Sequence, residues 1–517
     1  MYASMLTASL YGLESQEVHV EVDVTGGLPS FSVVGLPNRS IKEAKERIHS
    51  AINGCGYRFP NKRITVNLSP ANRKKDGSHF DLPIAMGLLV ASGQICPERD
   101  ALAHTAMIGE LTLDGRLQPI DGALPLVIGM QQRGIEHVVL PAGNCAEAEA
   151  VKGMRLYPAE TLLHVGEHMS GFRPIRPVCA SGRKGKTTAI DVADFSDIVG
   201  QDMAKRAAAI AAAGAHALLM VGPPGVGKSM IGKRIPGIMP ALSDAEHLEI
   251  AQIYSIAGLL DVNHTLSRQR PFRTPHHSLT VPAMTGGGAR PGPGEVSLAH
   301  CGVLFLDELP EFSRQVLDTL RQPLEHGYIT ISRVREVMHF PARFMLVAAM
   351  NPCRCGYYGD SIKPCTCTET DRQRYAGRIS GPMMDRIDLH IGLERMTYRD
   401  IDVNIKHREG MRSHEIQSFV EEAAQRQAHR YRNAPFRFNA QLPPDKLAEY
   451  CRLDEQCDAL VKQAFTAWSL SARSYHRLLR VARTIADFMG CERIAEEHIL
   501  EALSYRMPDN VEGGRTV

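Results

Sequence analysis

The chain has 517 residues, 44% hydrophobic and 22% charged, with 59 basic and 57 acidic side chains and a net charge of +2. That length exceeds what one core sustains and points to about three domains. The near-neutral balance excludes bulk electrostatic attraction to nucleic acid and leaves only local basic patches. No apolar run approaches the roughly 20 residues of a bilayer span, so no membrane partner is expected. The opening MYASMLTASLYG lacks a basic stretch and soon meets Glu14, which argues against a signal peptide. Twelve cysteines without an export signal point to reduced thiols in a cytoplasm, with metal ligation as the special case.

In chain order, Val18–Val24 (VHVEVDV) alternates apolar and polar residues and predicts a half-buried strand. Lys42–Ile52 is charged with helical spacing, and Arg63–Leu68 is a second strand. Leu82–Ser92 is apolar all round, the pattern of a buried helix. These elements make an α+β domain over residues 1–175. Ser181–Thr188 (SGRKGKTT) has no hydrophobic anchor and predicts a linker, taken as residues 176–194. From Phe195 to about residue 395, strands and helices alternate, which predicts an α/β core with a parallel sheet. Strands then vanish, and four helices over Glu415–His429, Asp458–Leu470, Ser474–Met489 and Ala495–Tyr505 make a helical lid over residues 396–517.

Within the α/β core, Gly222-Pro223-Pro224-Gly225-Val226-Gly227-Lys228-Ser229 follows an apolar strand, Ala217–Val221, and satisfies G-x-x-x-x-G-K-[ST]. Glycines let backbone N–H groups turn onto a β-phosphate, Lys228 reaches the β/γ oxygens of ATP, and Ser229 ligates Mg2+. Gly302–Glu308 (GVLFLDE) is a buried strand ending in two carboxylates. Asp307 is expected in the Mg2+ shell, and Glu308 is expected to orient and deprotonate the attacking water. Phe344–Pro352 (FMLVAAMNP) is another buried strand, whose terminal Asn351 can bond the γ-phosphate or the water; an ordinary N-P turn is the competing reading. Charge on the transferred phosphoryl group also needs arginines. Arg386 and Arg473 are available, but spacing alone assigns neither.

The motifs GPPGVGKS, GVLFLDELPEF, AAMNPC, ISGPMMDRIDLHI and SARSYHRLLRVARTIAD, in that order, resemble those of the magnesium-chelatase-like group of AAA+ ATPases. LPSFSVVGLPNRSIKEAKERI, KKDGSHFDLPIA and RPFRTPHHS narrow the resemblance to the ComM/YifB family. The resemblance implies that Ile198, Val199, Gly200 and Gln201 line an adenine pocket. It implies that Asp307 and Glu308 are the Walker B pair, Asn351 sensor 1, Arg386 a finger reaching a neighbouring subunit's ATP, and Arg473 the sensor 2 arginine. A finger acting in trans implies a ring, expected to be a nucleotide-dependent homo-hexamer. The family is similar to ring helicases and implies a DNA motor that promotes branch migration on single-stranded or branched DNA during natural transformation. A protein remodeller and a metal-insertase subunit remain as alternatives.

Two insertions bear on that expectation. Arg270–Glu295 resembles the helix-2 insert of this group. Tyr328–Phe344 alternates in two short runs and predicts a hairpin, whose Arg333 and Arg335 would track DNA phosphates in a central channel. A solvated hairpin with ordinary arginines is the bland reading.

KDGSHF and GELTLDGRLQPIDG in the first domain resemble the proteolytic domain of Lon, which implies a ribosomal S5 domain 2-like fold. His79 stands where the nucleophilic serine would be and Leu124 where its lysine would be, while Ser78 has no lysine base to activate it. A non-proteolytic role in assembly or DNA contact follows. Finally, Cys353, Cys355, Cys365 and Cys367 form two C-x-C pairs with nine intervening residues. Four thiolates suit tetrahedral Zn2+, against the alternative of four reduced surface cysteines.

Overall fold

The structure is a computed structural model and describes every residue except 98–101, 103, 180–192, 261–267, 289–291, 334–335, 361, 397–410 and 507–517. The expected linker Ser181–Thr188 lies outside the described residues. The chain divides into two compact units. One comprises Met1–Thr188 with Asp244–Ser267 and Ser332–Phe340, and the other Ala189–Ser243, Arg268–Ile331 and Pro341–Val517.

The first unit is built on an eight-stranded mixed sheet. Tyr2–Tyr11 and Glu14–Thr25 form an antiparallel hairpin with Leu6 opposite His19. The second strand also pairs antiparallel with Arg63–Ser69, whose far neighbour is Ser30–Val34. On the other side Tyr2–Tyr11 leads, through parallel pairs, to Thr105–Met107, His137–Pro141 and Arg155–Ala159. The alternation read in VHVEVDV is real: Val18, Val20, Val22 and Val24 are all buried. Helix Arg39–Gly54 starts where the Asn38 side chain accepts the Ile41 N–H at 3.1 Å, and buries Ile41, Ala44, Ile48, Ala51 and Ile52 along one face. Helix Asp81–Ala91 is buried on every side except at Val90, as an all-apolar segment must be.

One element of this unit gives no sign of its destination in the sequence. Helix Asp244–Ile256 follows the phosphate-loop helix in the chain, yet packs with helix Ala123–Gln131. Ser255 accepts the Leu124 N–H through Oγ at 3.3 Å and donates to Glu147 at 2.7 Å, and Ala251 joins the local core.

The second unit holds a five-stranded sheet in the order Phe272–Arg273, Val303–Leu306, Met345–Met350, Leu218–Val221, Leu389–Gly392, with every pair parallel. The three middle strands are buried throughout. Parallel strands need crossovers, so all the strand ends that carry polar residues fall on one edge, where ligands bind in open α/β sheets. The four expected helices appear as Ser413–Arg430, Glu455–Ala467, Ala472–Phe488 and Glu496–Ser504. Helices Ser413–Arg430 and Ala472–Phe488 pack on the alanine-rich helix Asp202–Gly214, where small side chains let backbones approach. Gln427 reaches across to the Ala213 carbonyl at 2.9 Å. Buried Asp487 ties this bundle together, accepting from Arg430, Arg483 and Asn439. Among the described residues no helix is long and apolar enough to cross a membrane.

Candidate functional site

The chain leaves strand Leu218–Val221 through the glycine loop and enters helix Lys228–Ile238. Gly225 and Gly227 sit at φ +84° and +97°, with open space where a Cβ would be. Backbone conformation, not crowding, therefore requires glycine at both. Helix Lys228–Ile238 then presents its free N–H groups and positive dipole end to the loop, which makes an anion cradle.

Lys228 is only 8% exposed, and its Nζ donates to the Gly222 carbonyl at 2.5 Å, the Pro223 carbonyl at 2.8 Å and Asn351 Oδ1 at 3.0 Å. Burial pushes its pKa down to about 8, although Asp307 and Glu308 favour the charged form. A desolvated ammonium held by neutral oxygens is suited to gripping an anion. Pro224 and Val226 complete the loop, Val226 resting against the core.

Ser229 follows on the helix and donates to Asp307 Oδ2 at 2.7 Å. Adjacent ligands of octahedral Mg2+, with bonds of about 2.1 Å, lie about 3.0 Å apart, so this hydroxyl and carboxylate fit one edge of such a shell. Glu308 adopts φ +53°, a left-handed conformation that a non-glycine residue holds only under constraint. Its carboxylate is largely exposed and lies 3.7 Å from His277 Nδ1. Sheet order thus brings Lys228, Ser229, Asp307, Glu308 and Asn351 together from three adjacent strand ends, as the motifs lead one to expect.

Ile198 is buried, and Val199, Gly200 and Gln201 are half-buried. Gln201 Nε2 donates to the Glu394 carbonyl at 2.7 Å, and the neighbouring Leu393 N–H binds Val221 at 2.7 Å. The segment therefore sits against the backbone that flanks Gly222. Arg386 donates to the Pro382 carbonyl at 2.6 Å and to Glu325, and its side chain is 11% exposed. Arg473 is exposed in the first turn of helix Ala472–Phe488. Arg335 and the side chain of Arg333 lie outside the described residues; the strands Tyr328–Arg333 and Glu336–Pro341 do pair as the expected hairpin.

Sequence reasoning misses two partners. His277 stands within RPFRTPHHS, where its spacing attaches no chemistry to it, and Glu325 carries no signal. A third feature, the chain from Asp388 through His216 Nδ1 at 3.0 Å to Thr484 at 2.7 Å from Nε2, links the sheet to the lid and is equally silent.

In the first unit, His79 is buried and its Nε2 lies 2.8 Å from the Ala8 carbonyl, with burial lowering its pKa to about 4. Leu124 is fully buried, and Ser78 donates to Glu110. The serine-lysine pair of a protease is absent from these positions.

Cys353, Cys355, Cys365 and Cys367 converge, with all four sulfurs within 4.8 Å of one another. They are free thiols, and this cluster could hold a metal ion.

Family comparison agrees with this geometry. The model described as magnesium chelatase, subunit ChlI, matches residues 194–401, its C-terminal companion matches 410–506, and one described as subunit ChlI of Mg-chelatase matches 20–144. The chain is 41% identical over 500 residues to "Competence protein ComM" of Haemophilus influenzae, covering 96% of this chain and 95% of that one. It is 40% identical over 508 residues to "Uncharacterized protein YifB" of Escherichia coli, covering 98% and 97%. A shorter match, 30% over 158 residues, joins 28% of this chain to 19% of "Lon protease 1" of Sorangium cellulosum. On near-full-length identity to both name-giving relatives, the chain belongs to the ComM/YifB family of magnesium-chelatase-like AAA+ proteins.

Proposed function

We propose that this protein hydrolyses ATP and spends the energy moving DNA, acting as a nucleotide-dependent homo-hexameric helicase that promotes branch migration during natural transformation. The observation that carries the ATPase part is the meeting of Lys228, the Ser229–Asp307 pair, Glu308 and Asn351 on one sheet edge. Lys228 exchanges its carbonyl partners for β/γ-phosphate oxygens, and the glycine loop supplies N–H donors. Ser229 and Asp307 would hold Mg2+, which would supply positive charge against the triphosphate. Asn351 orients the γ-phosphate or the attacking water. Glu308 takes the proton as the water oxygen bonds to γ-phosphorus and the bond to the β-phosphate oxygen breaks. Ile198 to Gln201 receive the adenine. Arg386 serves a neighbouring subunit's site once it releases Glu325, and Arg473 acts from the lid.

The DNA part rests on different support. The Haemophilus influenzae relative is named for competence, and the sequence sets Arg333 and Arg335 two positions apart in a chain of near-zero net charge, a local basic pair for phosphates. The cofactors of this reading are ATP, Mg2+ and one Zn2+ at the four cysteines, and the compartment is the cytoplasm. A second reading, a metal-insertase subunit, draws on the match to magnesium-chelatase models. ATP turnover measured with and without single-stranded and four-way DNA, beside mass measurement with ATP, separates the two. Stimulation by DNA and a sixfold mass support the motor; turnover indifferent to DNA, or a monomer at full activity, removes it.

A further inference from the structure

The four cysteines begin two residues after Asn351, on a loop that runs to Thr368 without helix or strand among its described residues. Such a length of irregular chain needs something other than secondary structure to hold it. Apolar burial does not supply it: Ile362 is 61% exposed, and Tyr357 and Tyr358 lie under the cations of Lys363 and Arg372. What converges is sulfur. Cys353 Sγ lies 3.3 Å from Cys355 Sγ and 3.6 Å from Cys365 Sγ, and the latter two are 3.5 Å apart. Zinc–thiolate bonds of about 2.3 Å in a tetrahedron put neighbouring sulfurs about 3.8 Å apart. The observed spacings are close to that edge.

The same loop touches the nucleotide site at one point. Gly356 adopts φ +87° and donates its N–H to the Cys353 carbonyl at 3.0 Å. A Cβ on Gly356 would lie 2.9 Å from Pro224 Cδ and 3.9 Å from Asn351 Cγ. The turn from Cys353 to Gly356 therefore lies against both the phosphate loop and the residue whose amide oxygen accepts from Lys228. The chain itself ties that turn to Asn351, which precedes Cys353 by two residues, while Pro224 packs against its other end.

We infer that the four thiolates bind one zinc ion and that this metal clip positions Asn351 for ATP turnover, so that metal content governs the hydrolytic step more than nucleotide affinity. The first half stands on the sulfur geometry; the second rests on the proposed ATPase reading. Asn351 touches the reacting phosphate, and the cysteines act through it as positioning residues.

The test uses the full-length protein purified without added metal. Wild type should carry about one zinc per chain. Cys365→Ser/Cys367→Ser, which spares buried Cys353, should carry none. Its kcat should fall about tenfold or more while nucleotide affinity stays within about threefold, the signature of a lost transition-state contact. Asn351→Ala should show the same drop, and adding it to the double-serine variant should cost nothing further, because both changes remove one interaction. Cys365→His, which keeps a zinc ligand, should retain zinc and turnover, and covers the case in which the serine variant fails to fold. Zinc-free wild type overturns the site. A zinc-free variant with undiminished kcat, or losses that add in the triple variant, overturns the coupling. Zinc-bound wild type without any ATP turnover also overturns the coupling, and identifies the ATPase reading as the part that failed.

Discussion

Lys228 is a buried cation at the phosphate loop, where burial has removed its water and left it with amide oxygens. Burial holds its pKa at about 8 against an ordinary 10.5, so in the free protein it loses its proton well below the usual lysine range. Only the protonated form grips phosphate. Nucleotide affinity should therefore be steady below pH 8 as far as this group decides it, and weaken above, approaching about tenfold per pH unit. Equilibrium binding of a fluorescent nucleotide from pH 7 to 10 checks this, and affinity unchanged up to pH 9.5 would contradict it. The residues of this site divide cleanly by legibility. Lys228, Ser229, Asp307 and Asn351 are set by their immediate neighbours in sequence, a glycine loop or a strand end, so local pattern is enough to name them. The His277–Glu308 and Arg386–Glu325 pairs escape that reasoning, because the second joins residues 61 positions apart with nothing local to announce it.

At the level of elements, periodicity is enough wherever one face or all faces meet a core. Helix Arg39–Gly54, helix Asp81–Ala91 and the three central strands of the parallel sheet lie where pattern puts them. Pattern is blind to docking partners. Helix Asp244–Ile256 follows the phosphate-loop helix in the chain, and only contacts such as those of Ser255 and Ala251 reveal that it packs with helix Ala123–Gln131. Buried charge is a second blind spot. Asp81 opens the buried helix Asp81–Ala91, exposed in part only at Val90, and is held by Arg47 at 2.7 and 3.0 Å, with burial pushing its pKa up to about 6 despite that partner. Arg47→Leu leaves the carboxylate without its cation and should cost about 3 kcal/mol, whereas Arg47→Leu with Asp81→Asn should recover part of it. Denaturant midpoints of the four-member set measure this, and a single variant as stable as wild type would refute the pairing as a stabilising contact.

For the whole molecule, the proposal needs more than one chain. Arg386 is tucked against Glu325 within its own subunit, so its transfer to a neighbour requires that pair to open. Arg386→Ala should abolish turnover alone, and mixing it with Lys228→Ala should restore part of the activity, since a wild-type finger then meets an intact loop. Turnover in mixtures of the purified variants reads this out; no recovery at any ratio removes the rationale for a finger acting between subunits. The two-unit division is not written in composition or charge, because the segments 244–267 and 332–340 join the first unit through tertiary packing alone. The motor reading depends on one engine, and Glu308→Gln addresses it most directly. Measured side by side for nucleotide affinity and ATP turnover, this variant should bind like wild type and lose about a hundredfold or more in kcat. Unchanged turnover, or a loss of binding that accounts for the whole defect, would contradict the account.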